Sequence, residues 1–528
     1  MNLKYKLTLA DGAKLEGSQP LSAGETRIKV PLPEGTLASV EAWLPLPLAD
    51  GGRIFMNGYQ SWTSCPEYDR EGFTAPPKPM PRLITDHFGI DRYGDYHFVD
   101  YPKRPGVTHG ESYCYFRSGE SYTLLASLDE RPGYTLLRYD AGEGLLTLRR
   151  DCAGLRCGGE FPAFELYYAQ GTEDEVFDGW FDAMGVKPRT AERLAGYCSW
   201  YNRYQRIDRR SILSDLEGCS RVLAPGDLFQ IDDGWERAVG DWLEADEKKF
   251  PGGLRPIVED IHRRGLKAGL WLAPFVCQKG SELLRRHPDW LLQVDGKPWY
   301  CGCNWGGFWA LDIDKPEVAD YIERSFRRVL DDWGFDLVKL DFLYGAAPYG
   351  NERETRAGRM TRALELLRRC CGDKLILGCG VPLMPAFGLV DYCRIGCDVG
   401  PDWDNNFLYR GANREIVSTE KSLLNTVFRR QLNGRAFLND PDVFYLREDR
   451  LRLSSGEKDV LATVNSLFGG VLLCSDDMSG YSAQALSQYR QLLKNRDAVD
   501  VRVDADDGLS VSYTVDGVSE LLDIPVRP

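Results

Sequence analysis

The sequence predicts a multidomain fold: an N-terminal antiparallel β-sandwich, then a (β/α)8 TIM barrel, then a short C-terminal β segment. Up to about residue 170, apolar and polar residues alternate with period two between turn signals such as Asp11-Gly12, which is typical of antiparallel strands. After residue 190, short apolar strands alternate with amphipathic helices eight times. This repetition favours a closed barrel over an open doubly wound sheet.

The chain divides where this pattern changes. We place the sandwich at 1–172, a helical linker at 173–190, the barrel at 191–484 and the C-terminal β segment at 485–528. The barrel strands are expected at 194–200, 227–233, 267–275, 336–344, 374–380, 391–398, 434–440 and 469–477. The overlong unit 276–310, rich in Trp, Tyr, Gly and Cys, is expected to form a loop over the mouth of the barrel.

Composition excludes several classes of function. The 528 residues carry a formal net charge of -14 and no basic block, so binding to nucleic acid or to an anionic membrane is not expected. The first residues lack the apolar core of about 7 residues that a signal peptide needs, and no run of about 18 apolar residues occurs. We therefore predict a soluble, cytoplasmic protein whose 15 cysteines stay reduced.

Metal-binding side chains are scarce. The chain has 5 His, and the close pairs Cys301/Cys303 and Cys370/Cys371 lack the spacing of a zinc site, so no metal is expected. The same scarcity of His counts against a Ser/His/Asp or Cys/His nucleophile. A metal-dependent barrel hydrolase stays an alternative, because carboxylates on successive strands also bind divalent cations.

The residues that work in a barrel enzyme lie at the carboxyl ends of its strands. Here these ends and the residues just beyond them are polar and aromatic: Trp200, Asp232, Asp233, Trp271, Lys339, Asp341, Arg394, Asp398, Asp402 and Trp403. Carboxylates bind sugar hydroxyls and aromatic rings pack on the C–H surface of a pyranose, so this mixture indicates a carbohydrate pocket. A single Asp is equally explained as the N-cap of the next helix and a single Trp as core, but the whole series is not.

Two of these carboxyl groups suit glycoside hydrolysis, which needs one ionised and one protonated group. Asp341 and Asp398 are the candidates. Lys339 lies two residues before Asp341, so both side chains point the same way, and its charge would hold Asp341 as the carboxylate; a purely structural ion pair is equally open to Lys339. Asp398 lies between the apolar residues Cys397 and Val399, which would raise its pKa and suit a general acid and base.

Seven motifs occur in order between about residues 190 and 480. They are CSWY (198–201), FQIDDGW (229–235), GLKAGLWLAPF (265–275), LVKLDF (337–342), LGCGVP (377–382), RIGCDVGPDW (394–403) and LNDPD (438–442). With NGYQSW (57–62) in the sandwich, the chain resembles the retaining α-galactosidases of glycoside hydrolase family 36, in clan D. The resemblance implies a sandwich, a catalytic barrel and a C-terminal β domain, a small carbohydrate substrate, and no metal or organic cofactor.

By this resemblance Asp341 corresponds to the nucleophile, which forms a covalent glycosyl-enzyme, and Asp398 to the acid/base. The positions that correspond to the sugar-binding site are Trp200, Asp232, Asp233, Trp271, Lys339, Cys379, Gly380, Arg394, Asp402 and Trp403. Asp232 and Asp233 would bind the axial 4-hydroxyl and the 6-hydroxyl of galactose. For Trp62, a place in the core and a place in the site are both open.

Two departures from the family leave alternatives open. Gly380 carries no large polar side chain and would leave room for a 2-acetamido group, so an α-N-acetylgalactosaminidase is one alternative. The short C-terminal segment puts the family's quaternary arrangement in doubt, and a homo-oligomer stays open. A galactosyl-transferring enzyme of the raffinose synthase kind is another alternative. A carbohydrate-binding protein without activity would have lost a catalytic Asp, and both candidates are present.

Overall fold

Eleven antiparallel strands form the N-terminal part of the computed structural model, which describes residues 1–404 and 412–526. These strands are Asn2–Leu9, Lys14–Pro20, Gly24–Pro45, Arg53–Met56, Glu67–Tyr68, Val107–Glu111, Tyr113–Ser118, Ser121–Ser127, Thr135–Asp140, Leu145–Arg150 and Arg156–Gly171. A short helix, Arg82–Phe88, lies in the long connection between the fifth and sixth strands.

The longest strand, Gly24–Pro45, is shared by both layers of this part. Its first half pairs with the last strand of the eleven, and its second half pairs with the tenth and the first. Every second residue from Thr26 to Leu32 is buried, because successive side chains of a strand point to opposite faces. Apolar side chains from both layers face one common core, so the predicted sandwich is confirmed.

A parallel sheet follows and closes on itself. Its strands are Leu194–Cys198, Leu228–Ile231, Lys267–Leu272, Leu337–Leu340, Leu375–Gly378, Tyr392–Arg394, Leu438–Asp440 with Val443–Phe444, and Val471–Cys474. The seventh strand is in two pieces, of which the first pairs with the sixth strand and the second with the eighth. Only Pro441 and Asp442 separate the pieces, so this strand completes the circle, and the predicted (β/α)8 barrel is confirmed.

Helices connect the barrel strands as the sequence predicts. They are Trp200–Arg203, Arg209–Cys219, Arg255–Arg263, Pro316–Arg327, Arg356–Cys371, Leu383–Ala386, Thr419–Phe428 and Ser455–Phe468. The unit 276–310 is more regular than the expected loop: it contains a three-stranded and a two-stranded sheet, formed by Val276–Gln278, Tyr300–Gly302, Phe308–Ala310, Gln293–Val294 and Lys297–Pro298, with the helix Glu282–Arg286. We call this unit the insertion.

The flanking elements are short. The helix Glu173–Met184 joins the sandwich to the barrel, and its Thr172 and Glu175 form a reciprocal capping box. After the barrel come the helix Ala483–Asn495 and three antiparallel strands, Val499–Asp504, Ser510–Val515 and Val518–Asp523. The exact division of the chain at 172, 190 and 484 stays a prediction. Within the described residues no helix is long and apolar enough to span a bilayer, and all 15 cysteines are free thiols.

One fully buried arginine fastens the sandwich to the barrel. Arg429, at the end of the helix Thr419–Phe428, donates to the carbonyl oxygen of Ile395 at 2.8 Å in the barrel. The same guanidinium donates to acceptors of the sandwich loop 57–65: Asn57 Oδ1, Cys65 Sγ and the carbonyl oxygens of Gly58, Gln60 and Ser61. This loop is thereby held against the end of the sixth barrel strand.

The buried histidine of the strand Val107–Glu111 makes the stability of the sandwich sensitive to acid. Burial, with the positive charges of Arg138, Arg414 and Arg149, lowers the pKa of His109 to about 3. An unfolded chain protonates this histidine near pH 6.5, whereas the folded chain does not until far lower pH, so stability falls as pH falls below about 6.5. From pH 7 to pH 5 the loss from this residue is about 2 kcal/mol.

We therefore expect the His109→Gln variant to lose about 2 kcal/mol less than the wild type between pH 7 and pH 5. Urea unfolding at the two pH values measures this difference, and His262→Gln is the control, because His262 is exposed on the barrel surface and pairs with Asp336. Equal acid sensitivity of the wild type and His109→Gln would contradict the prediction.

Candidate active site

A cavity of about 280 Å³ opens where the barrel strands end. Seven residues that the sequence predicts for the site line it: Trp200, Asp232, Asp233, Trp271, Lys339, Asp341 and Asp398. The other lining residues are Trp62, Tyr93, Asn304, Trp305, Phe342, Asn413, Glu415, Ile416 and Val417. The cavity therefore combines barrel strand ends with side chains from the sandwich, from the insertion and from the segment 413–417.

Asp341, directly after the fourth strand, is a buried carboxylate surrounded by donors. Its Oδ2 accepts from Trp271 Nε1 at 3.1 Å, and its Oδ1 accepts from the backbone N–H of Phe342 at 2.8 Å. Burial raises the pKa of Asp341, and the charge of Asp398 raises it further, while Lys339 and the donor Trp271 lower it. Phe342 has a φ of 53°, a strained conformation of the kind that clusters at functional sites, and this conformation brings its N–H to Asp341.

Lys339 forms the structural ion pair that the sequence left open, and its partner is Asp232. Lys339 Nζ donates to Asp232 Oδ2 at 2.8 Å, and both side chains are buried. Burial lowers the pKa of Lys339, but Asp232 together with Cys198 and Cys379 raises it by more, and the pKa lies well above its ordinary value. Lys339 thus acts on Asp341 through its charge only. Gln230 Nε2 also donates to Asp232, which fixes this carboxylate at the cavity floor.

Asp398, after the sixth strand, has a different environment from the one expected. The expected apolar surroundings are wrong, because Oδ1 accepts from Arg394 Nη1 at 2.9 Å and the side chain is 38% exposed. Arg394 itself is buried and also contacts Asp440 and Asp442. It is not among the cavity-lining residues described here, so it lies behind Asp398 in this structure and not in the wall.

Asp233 is held by hydrogen bonds at the cavity wall. Its Oδ2 accepts from Gln205 Nε2 at 2.8 Å and from Trp305 Nε1 at 2.9 Å, and its Oδ1 is buried. Burial, followed by the charge of Asp233 and a side-chain hydrogen bond with it, raises the pKa of Glu236 well above its ordinary value. As an acidic side chain that lines the cavity, Asp233 can accept a hydrogen bond from a hydroxyl of a bound molecule.

The indole of Trp62 fills the space beside Gly380. Its Nε1 donates to Cys379 Sγ at 3.4 Å, and a Cβ added to Gly380 would lie 2.8 Å from a ring carbon of Trp62. The expected room for a 2-acetamido group at Gly380 is therefore wrong. Trp62 reaches the cavity because Ser61 is bonded to the backbone of Val381 in both directions. Cys379 and Gly380 lie behind this indole and do not line the cavity.

Two predicted residues lie away from the cavity. Trp403 is 2% exposed and belongs to the core. It does not line the cavity formed by the described residues, so its expected place in the aromatic wall is wrong. Asp402 pairs with the exposed Arg452 at the surface and does not line the cavity. Both follow the sixth strand closely in sequence, but neither lines the cavity.

Residues 413–417 form a part of the cavity wall that was not predicted from the sequence. Glu415 is buried and accepts from Thr63 Oγ1 at 2.8 Å and from the Tyr96 hydroxyl at 2.7 Å, both in the sandwich. Arg414 donates to the carbonyl oxygen of Ser64. The sandwich therefore positions this segment beside Asp398. No motif in the sequence marks these residues, since their partners are more than 300 residues away.

Comparisons with known proteins agree with this geometry. The melibiase family model matches residues 199–364. An α-galactosidase of Escherichia coli is 34% identical over 165 residues, which are 29% of this chain and 23% of the relative. The alignment thus spans less than a quarter of that curated relative.

Solved structures match over more of the chain. TtGalA, an α-galactosidase of Thermus thermophilus in complex with p-nitrophenyl α-D-galactopyranoside, has a TM-score of 0.76 and 28% identity, and the match covers 98% of each chain. The present chain is similar to α-galactosidases in sequence over part of the barrel and in fold over nearly its whole length. AgaB, a family 36 α-galactosidase of Geobacillus stearothermophilus, shares the fold at 14% identity, with a TM-score of 0.62 and coverage of 97% and 79%.

In residues 1–404 and 412–526, no group of three or more His, Cys, Asp or Glu side chains has an arrangement that would hold a metal ion. The carboxylates of the cavity are instead paired with cations or with N–H donors. Asp232 pairs with Lys339, and Asp398 pairs with Arg394. The arrangement can bind a polyhydroxylated molecule and place two carboxyl groups against it.

The contact between Gly380 and Trp62 gives a stability prediction. Gly380→Ala introduces a left-handed alanine at φ 54°, which costs about 1–2 kcal/mol, and adds a clash with the indole. Gly185→Ala is the control, because Gly185 is left-handed at φ 65° and ψ 22° and has nothing within 4 Å of an added Cβ. We expect Gly380→Ala to lose about 1–3 kcal/mol more than Gly185→Ala in urea unfolding. Equal losses of stability in the two variants would contradict the prediction, because the Trp62 indole would then move aside without a measurable cost.

Proposed function

We propose that this chain is a retaining exo-α-galactosidase, which hydrolyses terminal α-linked galactose through a covalent glycosyl-Asp intermediate. The observation that carries the proposal is that Asp341 and Asp398 line one cavity in unlike environments, one buried among N–H donors and one exposed beside a shared arginine. The bound p-nitrophenyl α-D-galactopyranoside of the Thermus relative, which is similar over the whole chain, supports an α-galactoside as substrate.

In the first step Asp341 attacks the anomeric carbon. The bond from that carbon to the aglycone oxygen breaks while the bond to the Asp341 carboxylate oxygen forms, and Asp398 gives its proton to the leaving oxygen. The N–H groups of Trp271 and Phe342 favour the carboxylate form of Asp341, because both donate to it. Asp398 suits proton transfer because it is the more exposed of the two groups and can exchange protons with solvent.

In the second step water replaces the aglycone. Asp398, now a carboxylate, accepts a proton from the water, whose oxygen attacks the anomeric carbon and displaces Asp341. The sugar leaves with its original anomeric configuration, because each step inverts it once. Asp398 regains its proton, so the enzyme returns to its starting state without a metal or an organic cofactor.

The cavity dimensions favour one terminal sugar unit. About 280 Å³ lies near the lower end of ligand pockets, and the aromatic residues Trp62, Trp305 and Phe342 are part of the lining. Asp232 and Asp233 both line the cavity and supply acceptors for hydroxyl groups. We assign them to the 4- and 6-hydroxyls of galactose. A cytoplasmic location and a homo-oligomeric state remain part of this proposal.

The assignment of the two acids is tested with nitrophenyl α-galactoside. Asp341→Gly is expected to lower kcat/KM on the order of 10³- to 10⁶-fold, since the nucleophile is gone. Added azide is expected to restore turnover and give β-galactosyl azide, because it attacks from the side that Asp341 occupied. Asp398→Gly with azide is expected to give the α-anomer. Asp336→Asn, at the amino end of the same strand as Asp341, is the control and is expected to keep wild-type turnover.

Wild-type-like hydrolysis by Asp341→Gly would refute the nucleophile, and reversed azide products would exchange the two roles. Activity of the wild type that is lost with a chelator and regained with a divalent cation would favour the metal-dependent alternative.

The position of Trp62 predicts the preference between two sugars. The wild type is expected to cleave nitrophenyl α-galactoside in preference to the N-acetylgalactosaminide, because the indole occupies the space beside Gly380. Trp62→Ala is expected to raise the N-acetylgalactosaminide to galactoside ratio of kcat/KM by about 10-fold or more, since a steric conflict of 1.4 kcal/mol or more is removed. Trp309→Ala, half-buried in the insertion, is the control. An unchanged ratio in Trp62→Ala would contradict this role.

A further inference from the structure

The break in the seventh barrel strand places a buried carboxylate behind the acid/base candidate. Asp442 lies between the two pieces of this strand and has a φ of 75°, and its N–H donates to Asp440 Oδ1 at 2.9 Å. Its side chain is 1% exposed and does not line the cavity. Asp442 therefore cannot touch a substrate in the cavity, and any effect on catalysis passes through its neighbours.

Two of these neighbours belong to the acid/base segment. Asp442 Oδ2 accepts from the backbone N–H of Val399, the residue after Asp398, at 2.9 Å. Asp442 Oδ1 lies 2.8 Å from Arg394 Nη2, and the same guanidinium donates through Nη1 to Asp398. The contacts thus hold the segment that carries Asp398 from two directions, one through the backbone and one through the arginine.

A single cation serves three carboxylates here. Arg394 contacts Asp398 at 2.9 Å, Asp440 at 3.1 Å and Asp442 at 2.8 Å. If all three acids were ionised, the group would carry two negative charges in excess, most of them buried, which is costly. The cluster therefore favours uptake of a proton. The stabilisation that Arg394 gives to the Asp398 carboxylate depends on how strongly Asp440 and Asp442 also interact with this arginine.

The surroundings of Asp442 identify it as the member that takes up this proton. The charged and titratable groups that face it are Arg394, Asp398, Asp440, Tyr201, Tyr445, Cys198 and Cys397. Burial, together with the charges of Asp398 and Asp440, raises the pKa of Asp442 to about 7, while Arg394 and the hydroxyl of Tyr201 oppose this rise. Asp442 therefore changes its charge near neutral pH.

We propose that Asp442 is a positioning residue for Asp398: it fixes the acid/base segment through Val399 and, through the shared Arg394, sets how tightly Asp398 holds its proton. When Asp442 loses its proton, its negative charge repels the negative charge of Asp398, and its ion pair with Arg394 weakens the pairing of Arg394 with Asp398. Both effects make Asp398 bind a proton more tightly. Asp398 then remains a competent acid at higher pH. This inference rests on the proposed function, because it assumes that Asp398 is the acid/base of a glycosidase.

The test is the pH profile of kcat/KM for nitrophenyl α-galactoside, which reports ionisations of the free enzyme. In Asp442→Asn the negative charge is absent at every pH, so Asp398 loses its proton at lower pH than in the wild type. We expect the alkaline limb to move to lower pH by about one unit. This size is expected because Asp442 and Asp398 are coupled, and coupled sites influence each other by about one pK unit or more. Below pH 6, where Asp442 is already neutral in the wild type, we expect kcat/KM within a few-fold of the wild type.

The variant is chosen to keep the fold. Asn is among the residues that adopt a positive φ most readily, and its Oδ1 can still accept from Val399 and Tyr201. Asp440→Asn is the second variant: it removes another carboxylate from Arg394 on a regular strand, and we expect its alkaline limb to move in the same direction. Asp215→Asn is the matched control, because Asp215 is equally buried and accepts from a tyrosine hydroxyl and an arginine, but those partners are Tyr197 and Arg203.

Each outcome decides the matter. A downward shift of the limb in Asp442→Asn or Asp440→Asn, with an unshifted limb in Asp215→Asn, supports the proposal. Superimposable profiles, a loss of activity equal at every pH, or the same shift in Asp215→Asn would overturn it. A wild type without activity on any α-galactoside would instead refute the proposed function, so the two failures are distinguishable.

Discussion

The hydrogen bonds of Arg429 are the constraint on which the rest of the site depends. A fully buried guanidinium must satisfy its donors, and here it does so with acceptors from both the sandwich loop 57–65 and the barrel residue Ile395. Moving either part would leave a buried charge short of partners, which costs several kcal/mol. The loop, and Trp62 with it, is therefore fixed relative to the strand that leads to Asp398.

A second constraint is the distribution of charge at the barrel mouth. Lys339 and Arg394 are already paired: Lys339 with Asp232, and Arg394 with three carboxylates. The acids are consequently not equivalent, although all are Asp. Asp341 is buried among N–H donors, whereas Asp398 keeps solvent contact beside an arginine that it shares with two other carboxylates. Unlike roles for identical side chains follow from these differences in environment.

Much of the architecture follows from local pattern. The eight barrel strands are predicted because each is a short apolar run between turn signals, and seven of the predicted site residues line the cavity because barrel geometry brings strand ends together. Predictions from neighbours in sequence were less successful. Cys397 and Val399 flank Asp398 along the chain, yet its actual surroundings are set by Arg394, and Lys339 turns to Asp232 although Asp341 is closer in sequence.

The residues that the sequence did not reveal belong to connections. Trp305 and Glu415 lie in segments without a strand-end pattern, and their contacts to Asp233 and Thr63 join distant parts of the chain. Trp403 illustrates the opposite error, since its closeness to Asp398 in sequence does not bring it to the cavity. Gly380 was expected to leave room for a 2-acetamido group because it has no side chain. A neighbouring residue can fill such room, and here the indole of Trp62 from the sandwich does so.

The assembly of the cavity from separate parts has a consequence for how activity fails on heating. The barrel contributes the acids, but Trp62, Trp305 and Glu415 reach the cavity only while the sandwich and the insertion stay docked. Local opening of such contacts requires less free energy than global unfolding of the barrel. Inactivation should then be an early and reversible event, preceding the loss of secondary structure, and cooling should restore turnover without refolding of the central sheet.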